Sequence, residues 1–284
     1  MRHRISQETD VMFPALSQVC TLHAPFSQDI EDFAAGQCRS VDVWLTKLED
    51  YLEAGHSVSE VRDLLLEHEV AAPVASFQGG LFGTPESAQE AWKLFTERLK
   101  LCAEIGIGTL VVACDIMGPI RQADVDGANQ LLLRAADAAS EHGVRLALEF
   151  RADAALGNNL QTAAAIVNEL DRTNLGLCLD TFHYYVGPSK QEDLAYLTAE
   201  NLFHVQLSDI ADTPREFARD ADRILPGDGD IMFEPIIDRL REIDYRGCVS
   251  IELMNPQLWQ VPPRQFGEIG MTALRRILGQ ASMA

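Results

Sequence analysis

Four short apolar segments in the second half of the chain each carry an oxygen-bearing side chain toward the C-terminal end. They are Glu149 in RLALEF, Asp180 in LGLCLD, Gln206 in HVQLSD and Glu252 in CVSIEL. Three carboxylates gathered in a small volume repel one another and raise one another's pKa values. A divalent cation removes that conflict. Carboxylates with an amide oxygen suit a hard cation, Mn2+ or Mg2+, with Co2+ and Zn2+ as alternatives. The chemistry expected of such a site is proton transfer. Such a cation polarises a ketone oxygen, and a carboxylate beside it can take the neighbouring proton. The expected partner is a small polyhydroxylated ketone.

Further residues qualify for the same pocket. His183 lies three residues beyond Asp180, in DTFHYY, and is a candidate substrate contact and proton shuttle. His204 faces inward one layer below Gln206, either orienting a ligand or sitting as a satisfied core histidine. His23, at the end of the first strand candidate, and Gln78, at the end of the third, are candidate pocket-lining groups. The segment REFARDADRILPGDGD holds Arg219 and Arg223. Arg223 precedes the turn residues Pro226, Gly227 and Gly229, a position from which it contacts an oxygen-rich substrate. Trp44 reads as a core residue and Trp259 as a surface plug.

The elements that must position these groups are strands, because side chains alternate along a strand. Leu146 and Leu148 oppose Ala147 and Glu149. Leu175, Leu177 and Leu179 oppose Gly176, Cys178 and Asp180. Val205 and Leu207 oppose His204 and Gln206, and Val249, Ile251 and Leu253 oppose Cys248, Ser250 and Glu252. The aliphatic faces belong against covering helices. The other faces, small or polar, belong inside. Strand candidates recur over 17–24, 40–45, 73–78, 109–114, 145–150, 175–180, 202–209 and 247–253. Helical patterns lie between them, including a long one that breaks at Gly55. Eight strand–helix units in alternation predict an α/β chain folded as a (β/α)8 TIM barrel. Residues 1–284 are expected to form a single domain, with a loose lead-in over 1–15. An open doubly wound sheet would show a G-x-G-x-x-G turn after its first strand, and residues 24–36 show none.

Composition narrows the partners. The 284 residues suit one such barrel, which takes about 250. A net charge of −20 argues against nucleic acid and against an anionic membrane surface. The six cysteines form no C-x-x-C pair and read as reduced, buried thiols. With no secretory pattern in MRHRISQETD and no long apolar run, the expected location is the cytoplasm. The apolar stretch NPQLWQVPP is a candidate contact between copies in a homo-oligomer.

Taken together, LALEF, GLCLDTFHYY, HVQLSD, DRILPGDGD and VSIELMNP resemble the xylose-isomerase-like sugar phosphate isomerase/epimerase superfamily. The C-terminal third is most similar to its inosose (2-keto-myo-inositol) isomerases. The resemblance covers the layout of the whole chain, with its specific motifs between residues 145 and 256. It implies a metal-dependent barrel with Glu149, Asp180, Gln206 and Glu252 as ligands and His183 and Arg223 as substrate contacts. It also implies isomerisation or epimerisation through an enediolate, with one of Glu149 and Glu252 taking the proton and the other returning it. Most isomerases of the superfamily carry histidine where this chain has Gln206. Glutamine there is similar to the dehydroshikimate dehydratases, so a lyase reading stands beside the isomerase one. A nuclease of the related abasic-site type is disfavoured by the charge and by a constellation holding only two of the seven histidines.

Overall fold

The computed structural model describes residues 12–82 and 87–280, without the side chains of Phe77 and Gln78. Eight parallel strands close into a barrel in chain order. They are β1 (Phe13–Ser17), β2 (Ser40–Trp44), β3 (Ala71–Gln78), β4 (Thr109–Ala113), β5 (Arg145–Glu149), β6 (Leu175–Asp180), β7 (Leu202–Leu207) and β8 (Cys248–Ile251). Outside them run α1 (Phe26–Ala35), α2 (Leu45–Glu53), α3 (Val58–Glu67), α4 (Ala88–Ile105), α5 (Gln122–Glu141), α6 (Leu160–Leu170), α7 (Thr181–Val186), α8 (Glu234–Glu242) and α9 (Pro263–Leu278). This is the expected (β/α)8 barrel, in one domain. The break expected at Gly55 falls between α2 and α3.

The first strand departs from expectation. Residues 13–15 are barrel wall rather than a loose lead-in, and Gln18–Thr21 form a single 3-10 turn instead of continuing a strand. The polar side chains explain the turn. Gln18 accepts from the Trp44 N–H at 3.1 Å, and Thr21 donates to the buried Asp29 at 2.8 Å, which also pairs with Lys47. These are cross-element bonds that an extended strand would not make. His23 therefore falls in a loop beyond the turn. Residues 1–11 lie outside the described residues.

The two faces of the strands separate as the alternation predicts. Leu146, Leu148, Leu177, Leu179, Val205, Leu207, Val249 and Ile251 join the core between barrel and helices. A second, smaller cluster of Ala15, Val74, Val111, Ala147, Cys178, Phe203 and Cys248 fills the lower interior. The register slips between Leu177 and Cys178, opposite Phe203. Gly176 makes room there, since a Cβ would collide with the Phe203 ring and the Asn201 carbonyl. With the lower barrel plugged, the upper interior is left to polar groups. Asp180 pairs in register with Gln206, and Gln206 with Ser250. All six cysteines are buried and free. Among the described residues no helix is long and apolar enough to cross a membrane.

Candidate metal and proton-transfer site

Asp180 is both the last residue of β6 and the cap of α7. Its Oδ1 accepts from the N–H groups of Phe182 at 2.7 Å and His183 at 3.2 Å, so only Oδ2 faces the barrel mouth. The same short helix fixes His183. Its Nδ1 faces the Ala152 N–H at 3.4 Å, and its Nε2 faces Arg223 Nη2 at 3.4 Å and Glu149 Oε1 at 3.9 Å. One donor atom from each of Glu149, Asp180 and His183 can be chosen so that all lie within 4.8 Å of one another.

Arg223 enters from the segment after β7, which is clamped by Asp209. The Asp209 carboxylate accepts backbone N–H bonds from Ile210, Gly227, Gly229 and Ile231, each at 2.9 Å, and the backbones of Asp209 and Ile224 pair as an antiparallel bridge. Gly229 is required by this closeness: a Cβ there would run into the Ile210 carbonyl and the Asp209 carboxylate. The clamp delivers a guanidinium with no solvent exposure. Its Nη1 donates to Asp180 at 2.7 Å and to Glu252 at 3.3 Å, while Nε and Nη2 donate to Asp220 at 3.0 and 2.8 Å. The Phe182 ring lies beneath it, 4.4 Å from Cζ.

Glu252 stands one residue past β8. Its Oε1 accepts from Gln206 Nε2 at 2.8 Å. Gln206 also reaches Ser76 Oγ at 3.4 Å, and its Oε1 accepts from the Cys178 thiol at 3.1 Å. Below lies a wholly buried group in which Ser76 and Ser250 both donate to Asp42, at 2.7 and 3.2 Å. His204 Nε2 sits 3.0 Å from Ser250 Oγ.

The electrostatics follow from one guanidinium facing four carboxyl groups. Burial, and then the Asp180 charge, push Glu149 up to about 8. Burial likewise drives Glu252 well above the usual carboxylate range, against the pull of Arg223. Burial also opposes ionisation of Asp180, but Arg223, His183 and the backbone bonds outweigh it and hold this carboxyl low. His183 is pushed down to about 4 by burial, so it is a neutral imidazole near pH 7. Excess buried negative charge, hard oxygen donors and one neutral imidazole nitrogen make a donor set that fits a divalent cation.

The structure thus gathers Glu149, Asp180, His183, Gln206, Glu252 and Arg223. His183 joins the tightest donor group, where the sequence suggested a substrate contact and proton shuttle. The Arg223 donors are engaged by Asp180, Glu252 and Asp220, so any substrate contact must share one of them. His204 lies inside as expected, bonded to Ser250. His23 is exposed and packs edge-on against Trp259, 5.5 Å between centroids, away from this group. Gln78 ends β3, but its side chain lies outside the described residues. A cleft of 530 Å3 opens over His183, lined also by Arg151, Phe182, Phe217, Arg219 and Asp220. Asp42, Ser76 and Asp220 were not singled out from the sequence. For Asp42 a trace was present: in SVDVW a carboxylate alternates with Val41 and Val43, which places it inside.

Known proteins share this arrangement of elements. Residues 34–276 match the family described as xylose isomerase-like TIM barrel. An inosose isomerase of Bacillus velezensis is 27% identical over 223 residues, covering 76% of this chain and 79% of that protein. A 3-dehydroshikimate dehydratase of Pseudomonas aeruginosa is 27% identical over 263 residues, 89% of this chain but 40% of that protein. A solved structure of an IOLI protein with a binding zinc atom matches with a TM-score of 0.88 at 23% identity, over 95% of this chain and 99% of that one. With most of its length matched and the closed eight-stranded barrel in place, the chain belongs to the xylose isomerase-like TIM barrel family.

Proposed function

We propose that this chain is a divalent-metal-dependent isomerase or epimerase of a small sugar or cyclic polyol ketone. The observation that carries the reading is a pair of glutamates at the barrel mouth, Glu252 buried and Glu149 partly so. Glu149 and Glu252 flank the Asp180–Arg223 pair, with Glu149 pushed up to about 8 and Glu252 raised well above the usual carboxylate range, both chiefly by burial. A base with a pKa near the working pH combines proton affinity with a usable ionised fraction. The inosose isomerase relative supports a cyclic polyol ketone as the substrate class.

Glu149, Asp180, Gln206 and Glu252 would hold the cation (Mn2+, Mg2+, Co2+ or Zn2+), with His183 as a nitrogen donor beside them. Such an ion supplies Lewis acidity at the ketone oxygen. One glutamate takes the proton from the carbon next to the carbonyl, and the C–H electron pair moves into an enediolate. The second glutamate returns a proton to the neighbouring carbon, giving isomerisation, or to the opposite face, giving epimerisation. Neutral His183 is placed to exchange a proton with a substrate hydroxyl.

A second reading has its own support. Gln206, and similarity to a 3-dehydroshikimate dehydratase across 89% of the chain, favour β-elimination after the same first proton abstraction. A conjugated product absorbing in the ultraviolet separates the two. The test of the first reading is incubation with a panel of ketoses and inososes in D2O. Turned-over substrate is expected to gain one deuterium at the α-carbon. Turnover without any solvent deuterium at that carbon overturns it.

A further inference from the structure

Phe217 is out of place for its type. Its side chain is 73% exposed, although phenylalanine is among the side chains most often buried. A single exposed apolar group carries no meaning by itself. Its position supplies one. Among the described residues it is the large exposed apolar side chain that lines the 530 Å3 cleft over His183. Clefts that take a small ligand span about 300–1,000 Å3.

The segment that carries Phe217 is tied down on both sides. The Phe217 and Ala218 N–H groups donate to the Pro214 carbonyl at 2.9 and 3.1 Å, which closes a turn. Within the turn, Arg215 Nη2 donates to the Gly187 carbonyl at 3.2 Å, and its guanidinium lies over the Tyr185 ring, 4.6 Å from the centroid. Gly187 ends α7, the helix that carries His183. After the turn, Asp220 accepts from Nε and Nη2 of Arg223 at 3.0 and 2.8 Å. Phe217 is thus anchored to the two groups that face each other beneath the cleft, His183 and Arg223.

The cleft has two kinds of wall. His183, Arg151 and Asp220 are polar, and Phe182 and Phe217 are aromatic. The Phe182 face is covered by the Arg223 guanidinium, 4.4 Å away, so Phe217 is the ring left open to the cleft. The face of an aromatic ring is negative. The C–H bonds of a polyol ring are drawn positive by the attached oxygens, and those on one side of the ring form a flat patch. The hydroxyls lie around its rim, within reach of polar walls. An open-chain polyol presents such a patch only after its chain is ordered, at a cost in entropy.

We propose that Phe217 is a specificity-determining residue: it stacks on the C–H face of a cyclic polyol and so selects ring substrates over open-chain ones. This rests on the reading of the site as one for a small sugar or cyclic polyol ketone, and narrows it.

The test uses the full chain with Mn2+ present and two unreactive probes, myo-inositol and the open-chain polyol sorbitol, titrated with ligand-observed NMR. Wild type is expected to bind myo-inositol about tenfold more tightly than sorbitol. Phe217→Ala should weaken myo-inositol about tenfold and leave sorbitol nearly unchanged, and Phe217→Leu, apolar but without a π face, should behave like it. Phe217→Tyr should restore wild-type binding. Because the side chain is exposed, none of these variants should lose the fold. With an inosose that wild type converts, Phe217→Ala should raise KM about tenfold with kcat unchanged, the mark of a binding contact. Wild type that binds sorbitol as tightly as myo-inositol, or that binds no myo-inositol, overturns the proposal, as does Phe217→Ala with unchanged affinity. If the binding pattern is as expected and no ketose or inosose is turned over, the proposed function fails and the role of Phe217 stands. If an inosose is turned over with a KM that Phe217→Ala leaves alone, the function stands and the role of Phe217 fails.

Discussion

Arg223 Nη1 donates to Asp180 Oδ2 across 2.7 Å, and neither side chain is exposed. A buried pair of this kind contributes little over an apolar replacement, but removing one partner strands the other charge. Arg223→Met is therefore expected to destabilise the metal-free protein by about 3–5 kcal/mol, read by urea unfolding. Arg223→Lys keeps the charge but not the fork that reaches both Asp180 and Asp220, and should fall between. A Met variant as stable as wild type would show that the pair does not anchor the site.

Glu149 makes stability depend on pH in a defined direction. Its folded pKa, about 8, lies above the ordinary value of 4.5. The fold therefore favours the protonated carboxyl, and this contribution is complete below the ordinary value and lost as pH rises through about 8. Glu149→Gln stays neutral throughout. The stability difference between Glu149→Gln and wild type, measured in EDTA, should grow in favour of the variant as pH rises across that window. A difference that does not change with pH contradicts the placement of this carboxyl.

Mn2+ should raise the melting temperature of the wild-type protein. At one hundred times the dissociation constant the gain is about 2.7 kcal/mol. Asp180→Asn and His183→Ala should each lose most of the shift, and EDTA should reverse it. His23→Ala, on the exposed loop, should keep it in full. A shift that survives both site variants would place the ion elsewhere.

Asp209 holds four backbone N–H groups of the segment that carries Arg223. Asp209→Ala leaves them without a buried acceptor and should cost about 3 kcal/mol. It should also cut turnover, because Arg223 loses its seat. Asp209→Asn, which keeps one oxygen, should recover part of both. Unchanged turnover in the Ala variant would mean that Arg223 holds its place without the clamp.

The half of the barrel that carries the candidate site was legible because its strands alternate strictly. The leucines and valines of β5 to β8 fix the phase, and phase alone turns Glu149, Asp180, Gln206 and Glu252 inward. β1 was not legible. Val19 and Cys20 are as apolar as strand residues, and only the cross-element bonds of Gln18 and Thr21 show that they turn. Full burial of Arg223 was hidden for a similar reason. The charged run around it looks like a solvated loop, and its carboxylate partners come from β6, from the residue after β8 and from Asp220 three residues before it. The Asp209 clamp depends on backbone N–H groups, which carry no signature in side-chain types.

The proposed proton transfer by Glu149 and Glu252 is tested most directly by single variants in D2O. Glu149→Gln and Glu252→Gln, loaded with Mn2+ and given a substrate that wild type converts, should both lose net conversion by at least about a thousandfold. One of them should still exchange the α-hydrogen of unconverted substrate for deuterium, because the remaining glutamate still removes and returns that proton. If either variant converts substrate at the wild-type rate, or if neither exchanges deuterium while both bind Mn2+ normally, proton transfer by this pair is contradicted.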